Sequence, residues 1–308
     1  MHFVCICLVC AAIPFGISAE APHTTLSYDD YYTFEGAASV TSSDTSVISV
    51  SGNTIHAVGI SSSPVTITVD GQAQLFTVKK AKLNIVMVAG QSNACGEISG
   101  TPAESNFYRS TTTTKGTAYL WGIGATAPKA LSGNGTYDGF RAALAEEWYQ
   151  QSLLAGDPEK TVVVFGSNHT GTPGEKIAEF LDESSTKGTV GKASKMLNDC
   201  YEYYSVGAGA KYYDITNCGM YWLQGESDST QSVTYYYENF TTLWKKLKAA
   251  TSNRLSYCAF MRVRRDSGTQ NLSYSGPVIA QYQLTNDNAD MFMASTITET
   301  GRVPPPIP

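Results

Sequence analysis

The sequence has little charge and few histidines, and what it lacks excludes several classes of protein. Charged residues make up 16% of the 308 residues, the net charge is -6, and no basic cluster exceeds Arg262, Arg264 and Arg265. Nucleic-acid binding needs clustered positive charge, so we do not expect a nucleic-acid partner. The H-E-x-x-H, EF-hand and Walker motifs are absent, as is a G-x-G-x-x-G run after a strand. We therefore expect neither a metal nor a nucleotide cofactor.

The longest apolar run lies at the amino terminus. It extends from Phe3 to about Ile17 and ends in the small residues Ser18 and Ala19, which predicts a secretory signal over residues 1–19. A membrane anchor is the alternative, but the run is shorter than the roughly 20 residues that span a bilayer. We therefore expect a secreted or cell-surface protein with no membrane insertion after signal cleavage.

Cysteine is scarce after the signal segment. Four cysteines remain, and no two of them form a C-x-x-C pair: Cys95, Cys200, Cys218 and Cys258. Their spacing does not favour a zinc site. Up to two disulfides or a set of buried thiols would fit this number, and the pairing stays open.

Residues 21–80 consist of short β-prone runs broken by Ser, Gly and Asp. Apolar and polar residues alternate at 47–50, 54–58 and 65–69, which predicts half-buried strands and a small antiparallel β-sandwich. The runs S-S-D-T-S-V-I-S-V, T-I-H-A-V-G-I and V-T-I-T-V resemble the bacterial immunoglobulin-like domain of the second group. The resemblance implies a spacer or an adhesive module.

A different pattern begins at Leu83. Four continuous apolar runs are typical of parallel strands covered on both faces: residues 84–89, 161–166, 219–223 and 257–263. Segments with helical spacing lie between them, at 140–154, 190–204 and 233–250. This alternation predicts an α/β fold, with a doubly wound parallel sheet flanked by helices, over residues 82–308. Ligands of such sheets bind at the carboxyl ends of the strands.

Gly90-Gln91-Ser92-Asn93 directly follows the first of these runs. Gly90 permits a tight turn from strand to helix, which would hold the Ser92 hydroxyl exposed at the carboxyl edge. Backbone N–H groups of such a turn point to the same place, because the first turn of a helix leaves them unpaired. Ser92 is therefore a candidate nucleophile. Capping of the next helix by Ser92 and Asn93 is the alternative.

Two further polar loops follow later strands. Residues 167–174 include Gly171 and Thr172, and a glycine loop there can direct a backbone N–H to the same edge. Gln224 and Glu226 follow the third run, where a glutamine amide can donate a hydrogen bond to a developing oxyanion. Ordinary loop connections and helix capping are the alternatives. Three polar loops at three strand ends favour a shared site.

The segments A-G-Q-S-N and W-L-Q-G-E-S-D resemble the first and third sequence blocks of SGNH hydrolases in the sialate O-acetylesterase and acetylxylan esterase branch. The Gly171-Thr172 loop resembles the second block, and the resemblance covers about residues 83–295. It implies a flavodoxin-like SGNH fold and a serine esterase that removes O-acetyl groups from carbohydrates without a cofactor. Ser92 would be the nucleophile, and the N–H groups of Ser92 and Gly171 with the Gln224 amide would form the oxyanion hole.

The resemblance also implies contacts with an acetylated carbohydrate or glycan. The side chains that would contact the substrate lie in the same three loops: Gln91, Asn93, Thr172 and Glu226. Glu226 would orient either Gln224 or the sugar. The identity of the sugar depends on loop shapes that the sequence does not define.

No histidine follows His169, whereas the last block of these hydrolases, D-x-x-H, supplies the general base. A serine hydroxyl is a poor nucleophile near neutral pH without a base. Three interpretations stay open. The esterase domain is truncated before its last block, which we favour; or the protein is a carbohydrate-binding or adhesive relative that keeps the fold; or His169 is the base.

Overall fold

Two small sheets form the amino-terminal part of the described chain. The computed structural model describes residues 23–91, 94, 113–131, 139–165, 176–183, 188–261 and 275–295. The first seven strands are β1 (His23–Ser27), β2 (Tyr31–Thr33), β3 (Val40–Ser42), β4 (Ile48–Ser51), β5 (Thr54–Ala57), β6 (Ser61–Val69) and β7 (Gln72–Lys79). They pair in the orders β1-β7-β6-β3 and β2-β5-β4.

Side chains from both small sheets meet in one buried apolar cluster, which includes Ile48, Ile55, Ile67, Phe76 and Val78. The alternating runs of the sequence therefore do form strands, with one face of each strand buried. The immunoglobulin-like classification and the boundaries 21–80 and 82–308 stay predictions. The signal segment, residues 1–19, lies outside the described residues.

A larger, mostly parallel sheet follows. Its strands are β8 (Ala81–Gly90), β9 (Ala118–Trp121), β10 (Lys129–Ala130), β11 (Glu159–Phe165), β12 (Tyr213–Leu223), β13 (Tyr257–Met261) and β14 (Met291–Ser295). Their order within the described residues is β10-β9-β11-β8-β12-β13-β14. Only the pairing of β10 with β9 is antiparallel among these. The central strand β8 is buried along almost its whole length, which explains its continuous apolar sequence.

Helices cover both faces of the large sheet. They are α1 (Gly139–Leu154), α2 (Ser194–Ser205), α3 (Val233–Ala250) and α4 (Gly276–Asp287). On one face, α1 buries Ala142 and Ala145 against β8 and β11. On the other face, α2, α3 and α4 contribute to the main core, to which α3 supplies Tyr236, Phe240, Leu243, Trp244 and Leu247. No helix in the described ranges is long and apolar enough to cross a membrane.

The predicted α/β fold, with a large parallel sheet and flanking helices, is therefore confirmed. Each of the four apolar runs lies in a strand as far as the structure describes it, and each of the three helical segments forms a helix. Helix α4 and the strands β9, β10 and β14 were not predicted. The closer likeness to SGNH hydrolases stays a prediction.

The small sheets are attached closely to the large one. Lys80 is the one residue between β7 and β8. The ring of Tyr28, directly after β1, stacks on that of Tyr212, directly before β12, with 4.1 Å between centroids. The two parts of the chain are thus held together by packing as well as by the linker.

A buried lysine strengthens this junction. Lys160, near the start of β11, has a side chain that is 3% exposed, and its Nζ lies 2.7 Å from Asp30 Oδ1. The same ammonium donates to the Gly116 carbonyl at 2.7 Å. A buried charge is tolerated only when it is paired, so this contact fixes the small sheets against the amino ends of the large-sheet strands.

A second polar contact lies beside it. Asp29 Oδ1 is 2.5 Å from His56 Nε2, and Asp29 Oδ2 accepts a hydrogen bond from the Tyr119 hydroxyl at 2.5 Å. Tyr213, the first residue of β12, donates its own hydroxyl to Tyr119 at 3.0 Å. His56, on β5, is therefore part of this junction.

Three of the four cysteines after the signal segment are buried free thiols: Cys200, Cys218 and Cys258. Burial raises the pKa of all three, that of Cys218 to about 12. They are therefore protonated, apolar core groups, and no disulfide joins them. Cys95 lies outside the described residues.

We expect Lys160→Met to lower the free energy of unfolding by about 3 kcal/mol, because Asp30 loses its charged partner and the Gly116 carbonyl its donor. Urea denaturation of the purified variant measures this loss. The matched control is Lys80→Met, whose lysine pairs with Asp214 on the surface at 3.1 Å. That change should cost less than about 1 kcal/mol. Equal losses in the two variants would contradict a stabilising junction.

Candidate active site

The candidate site lies where the two central strands of the large sheet end. Strands β8 and β12 run parallel and stay paired to their last residues, with Ala89 opposite Trp222 and Gly90 opposite Leu223. The residues that follow, Gln91 and Gln224, therefore leave the sheet side by side at its carboxyl edge. This is the edge at which ligands of such sheets bind.

Gly90 makes this close pairing possible. Its φ is +142°, and a Cβ at this position would lie 1.9 Å from the Leu223 carbonyl oxygen. The next N–H, that of Gln91, donates to the same carbonyl at 3.1 Å. Only glycine fits this position, because a side chain would push β8 and β12 apart. The sequence predicted a tight turn from strand to helix here; the Ala94 N–H donates to the Gln91 carbonyl at 2.8 Å, and Ser92 and Asn93 of that turn lie outside the described residues.

The Gln91 side chain ties the two turns together. It is 6% exposed, and its Oε1 accepts the backbone N–H groups of Gly225 at 3.2 Å and Ser227 at 3.4 Å. The Gly225 N–H is buried and would otherwise lack an acceptor, which is costly. The turn after β8 and the turn after β12 are thus locked to each other.

The orientation of the Gln224 amide follows from a buried tyrosine. The Tyr236 hydroxyl accepts hydrogen bonds from Trp222 Nε1 and Gln281 Nε2, each at 3.1 Å. Burial raises the pKa of Tyr236, so the hydroxyl keeps its own hydrogen. That hydrogen is donated to Gln224 Oε1 at 2.8 Å. The amide oxygen therefore faces Tyr236, and the amide nitrogen faces the opposite way.

Asp228 holds that nitrogen. Gln224 Nε2 donates to Asp228 Oδ2 at 2.6 Å, and the Ile177 N–H donates to the same oxygen at 2.7 Å. Asp228 is fully buried. Burial raises the pKa of its carboxyl above the usual value, although the hydrogen bonds from Gln224 and Ile177 act in the opposite direction. Both ends of the Gln224 amide are thus fixed by buried partners.

The structure brings together only part of the predicted set. Gln91 and Gln224 are in adjacent, mutually bonded turns, and Glu226 begins the short 3-10 helix Glu226–Asp228. Four of the predicted residues lie outside the described residues: Ser92, Asn93, Gly171 and Thr172. Their roles stay predictions, as do those of Gln91, Gln224 and Glu226.

Sequence reasoning missed three residues of this site: Asp228, Tyr236 and Gln281. Asp228 stands in the same motif as Gln224, and its spacing of four residues was a usable signal. Tyr236 lies in the predicted helical segment 233–250, but helical spacing does not reveal the contacts of its hydroxyl. Gln281 lies on α4, a helix that the sequence analysis did not predict.

His56 can be tested as a general base by its distance from the candidate site. His56 contacts Asp29 at the amino ends of the strands, whereas Ser92 follows the carboxyl end of β8. Ten residues of strand span about 30 Å, so His56 lies far from the carboxyl end of β8, the end after which Ser92 follows in the sequence. The described residues contain no group of three or more His, Cys, Asp or Glu side chains that could hold a metal ion.

Comparisons with known proteins give only distant likenesses. No protein-family model and no curated protein matches the sequence. An Arabidopsis thaliana protein of known structure is 14% identical, with a TM-score of 0.46 over 70% of this chain and 85% of that one. A carbohydrate acetylesterase from Xanthomonas citri is 13% identical, with a TM-score of 0.41 over 89% of this chain and 67% of that one. NanS is 13% identical, with a TM-score of 0.46 over 73% and 80%.

We expect Gly90→Ala to lower the free energy of unfolding by about 3 kcal/mol or more, because the new Cβ collides with the Leu223 carbonyl at a strained φ. Chemical denaturation provides the measurement. Gly124→Ala is the matched control, since Gly124 has a φ of +68° and a Cβ there would meet no atom within 4 Å. It should cost roughly 1 to 2 kcal/mol. A Gly90 variant no less stable than the Gly124 variant would refute the close contact.

Proposed function

We propose that this protein is a secreted serine esterase that removes O-acetyl groups from carbohydrates, with Ser92 as its nucleophile. The main support is the hydrogen bonding of Gln91, the residue immediately before Ser92. Its side chain is bonded to Gly225 and Ser227, which closely follow Gln224 in the same turn. The proposed nucleophile and the proposed amide donor therefore start from one locked point on the sheet edge.

The chemistry follows from these roles. The Ser92 hydroxyl attacks the acetyl carbonyl, and its proton passes to a general base. The N–H groups of Ser92 and Gly171 and the Gln224 amide stabilise the oxyanion that forms. The C–O bond to the sugar then breaks, and the sugar oxygen takes up a proton as it leaves. Water cleaves the acetyl-serine, which releases acetate and restores the serine.

Two kinds of residue act around this centre. Asn93, Thr172 and Glu226 are the proposed substrate contacts. Gln91 was predicted to contact substrate as well, but its buried oxygen is used by the turn after β12. We therefore assign Gln91 mainly to holding the two turns together. No cofactor takes part in the proposed reaction.

The general base of this mechanism has two candidate sources. His169 lies two residues before Gly171 in the loop proposed to supply an oxyanion donor. The resemblance instead implies a histidine in a D-x-x-H block. A His169→Ala variant separates the two sources, because hydrolysis that survives this change requires a base elsewhere in the protein.

We expect Ser92→Ala to lower kcat/KM for an aryl acetate by about three orders of magnitude or more, because the acetyl-enzyme can no longer form on the nucleophile. Ser63→Ala, on an exposed part of β6, is the control and should keep the full rate. Equal rates for the wild type and the Ser92 variant would remove Ser92 from the mechanism.

Assays of the wild type and the Ser92→Ala variant on natural glycans also identify the substrate. Acetate release from acetylated xylan, acetylated pectin and O-acetylated sialic acid compares three carbohydrate classes. A wild-type protein that binds one of these glycans but releases no acetate would support the alternative of a carbohydrate-binding or adhesive protein.

A further inference from the structure

We propose that Asp228 is a positioning residue of the proposed oxyanion hole, because it fixes the orientation of the Gln224 amide, the side chain proposed to donate there. The inference rests on the proposed function of Gln224 as an oxyanion donor. Asp228 does not contact the reacting atoms itself. It acts through the amide that it binds.

The first argument is the choice between the two ends of the amide. A carboxylate only accepts hydrogen bonds, so Asp228 Oδ2 at 2.6 Å selects the nitrogen of Gln224. The Tyr236 hydroxyl selects the oxygen from the other side. In the wild type, a flipped Gln224 amide would lose two hydrogen bonds, one with Asp228 and one with Tyr236. Without Asp228, the flipped amide would lose only the bond with Tyr236. The carboxylate therefore supplies much of the preference for the donor orientation.

The second argument is the use of a single carboxylate oxygen. Oδ2 accepts both the Gln224 amide and the Ile177 N–H, whereas Oδ1 is buried and has no hydrogen-bond partner among the described residues. Buried polar atoms are nearly always bonded, and exceptions need an explanation. Because both hydrogen bonds go to Oδ2, the carboxylate is aligned with the Gln224 amide, and Oδ1 is left without a hydrogen bond among the described residues.

The third argument is what Ile177 connects. It begins the 3-10 helix Ile177–Leu181, which follows the loop that carries Gly171 along the chain. Asp228 therefore binds the backbone of Ile177, six residues after Gly171 in the sequence, as well as the side chain of Gln224. A donor such as the Gln224 amide is effective when it is held in place, because it then needs no reorganisation during the reaction.

The kinetic test compares Asp228→Ala and Asp228→Asn with the wild type on an aryl acetate. We expect Asp228→Ala to lower kcat roughly 30-fold with KM changed less than about twofold, since the lost interaction matters only in the transition state. Asp228→Asn keeps an acceptor oxygen and should recover most of the rate. Asp287→Ala, an exposed aspartate on α4, is the control and should have the wild-type rate. A wild-type kcat in Asp228→Ala would overturn the proposal.

A double variant shows whether Asp228 acts through Gln224. The effect of Asp228→Ala should disappear when Gln224→Ala is already present, because the amide to be positioned is gone. Additive losses would overturn the proposal. If Gln224→Ala keeps the full rate while Ser92→Ala is inactive, the donor role of Gln224 fails together with that of Asp228. A fully active Ser92→Ala would instead refute the proposed function.

A spectroscopic readout tests the contact without turnover. The side-chain amide signals of Gln224, identified in nitrogen-15 glutamine-labelled protein by their loss in Gln224→Ala, should shift in Asp228→Ala and stay in place in Asp287→Ala. Unchanged signals would overturn the proposal even if the wild type hydrolyses nothing. If Asp228→Ala does not fold, Asp228→Asn carries the test, because loss of the charge should still shift these signals.

Discussion

The close pairing of β8 and β12 at their carboxyl ends is the constraint on which the candidate site depends. Two parallel strands that stay in register up to Gly90 and Leu223 deliver their next residues to the same place. The absence of a side chain at Gly90 permits this approach. A single polar side chain, that of Gln91, is then enough to link the two turns. The pairing of the two strands therefore determines where the candidate site lies.

A buried hydrogen-bond network continues from this edge into the core beneath α3. Tyr236 and Gln281 are fully buried, and their polar groups are directed at Gln224. In an apolar surrounding, an unsatisfied polar group costs about 1–3 kcal/mol, so each bond in the network restrains its neighbours. The polar groups add specificity here, because they permit one arrangement of the Gln224 side chain and penalise others. A surface glutamine would have no such restraint.

Features that depend on neighbouring residues in the sequence could be predicted, whereas contacts between residues far apart in the sequence could not. The apolar runs predicted β8, β11, β12 and β13, because a strand that is covered on both faces has apolar side chains at consecutive positions. Gly90 and Gln224 were found because each lies at the end of such a run or directly after it. The bond from Ile177 to Asp228 joins residues far apart in sequence, and no local pattern reports it. Helix α4 escaped because its sequence, G-P-V-I-A-Q-Y-Q-L-T-N-D, mixes apolar and polar residues without a clear stripe.

The position of the small sheets limits what they can contribute to the proposed reaction. Their contacts through Asp29, Asp30 and Lys160 are at the amino ends of the large-sheet strands. The candidate site is at the opposite edge, about 30 Å away along β8. A small acetyl ester bound beside Gln224 would therefore not reach them. If the small sheets bind glycan, only an extended glycan chain could occupy both places, about 30 Å apart along β8.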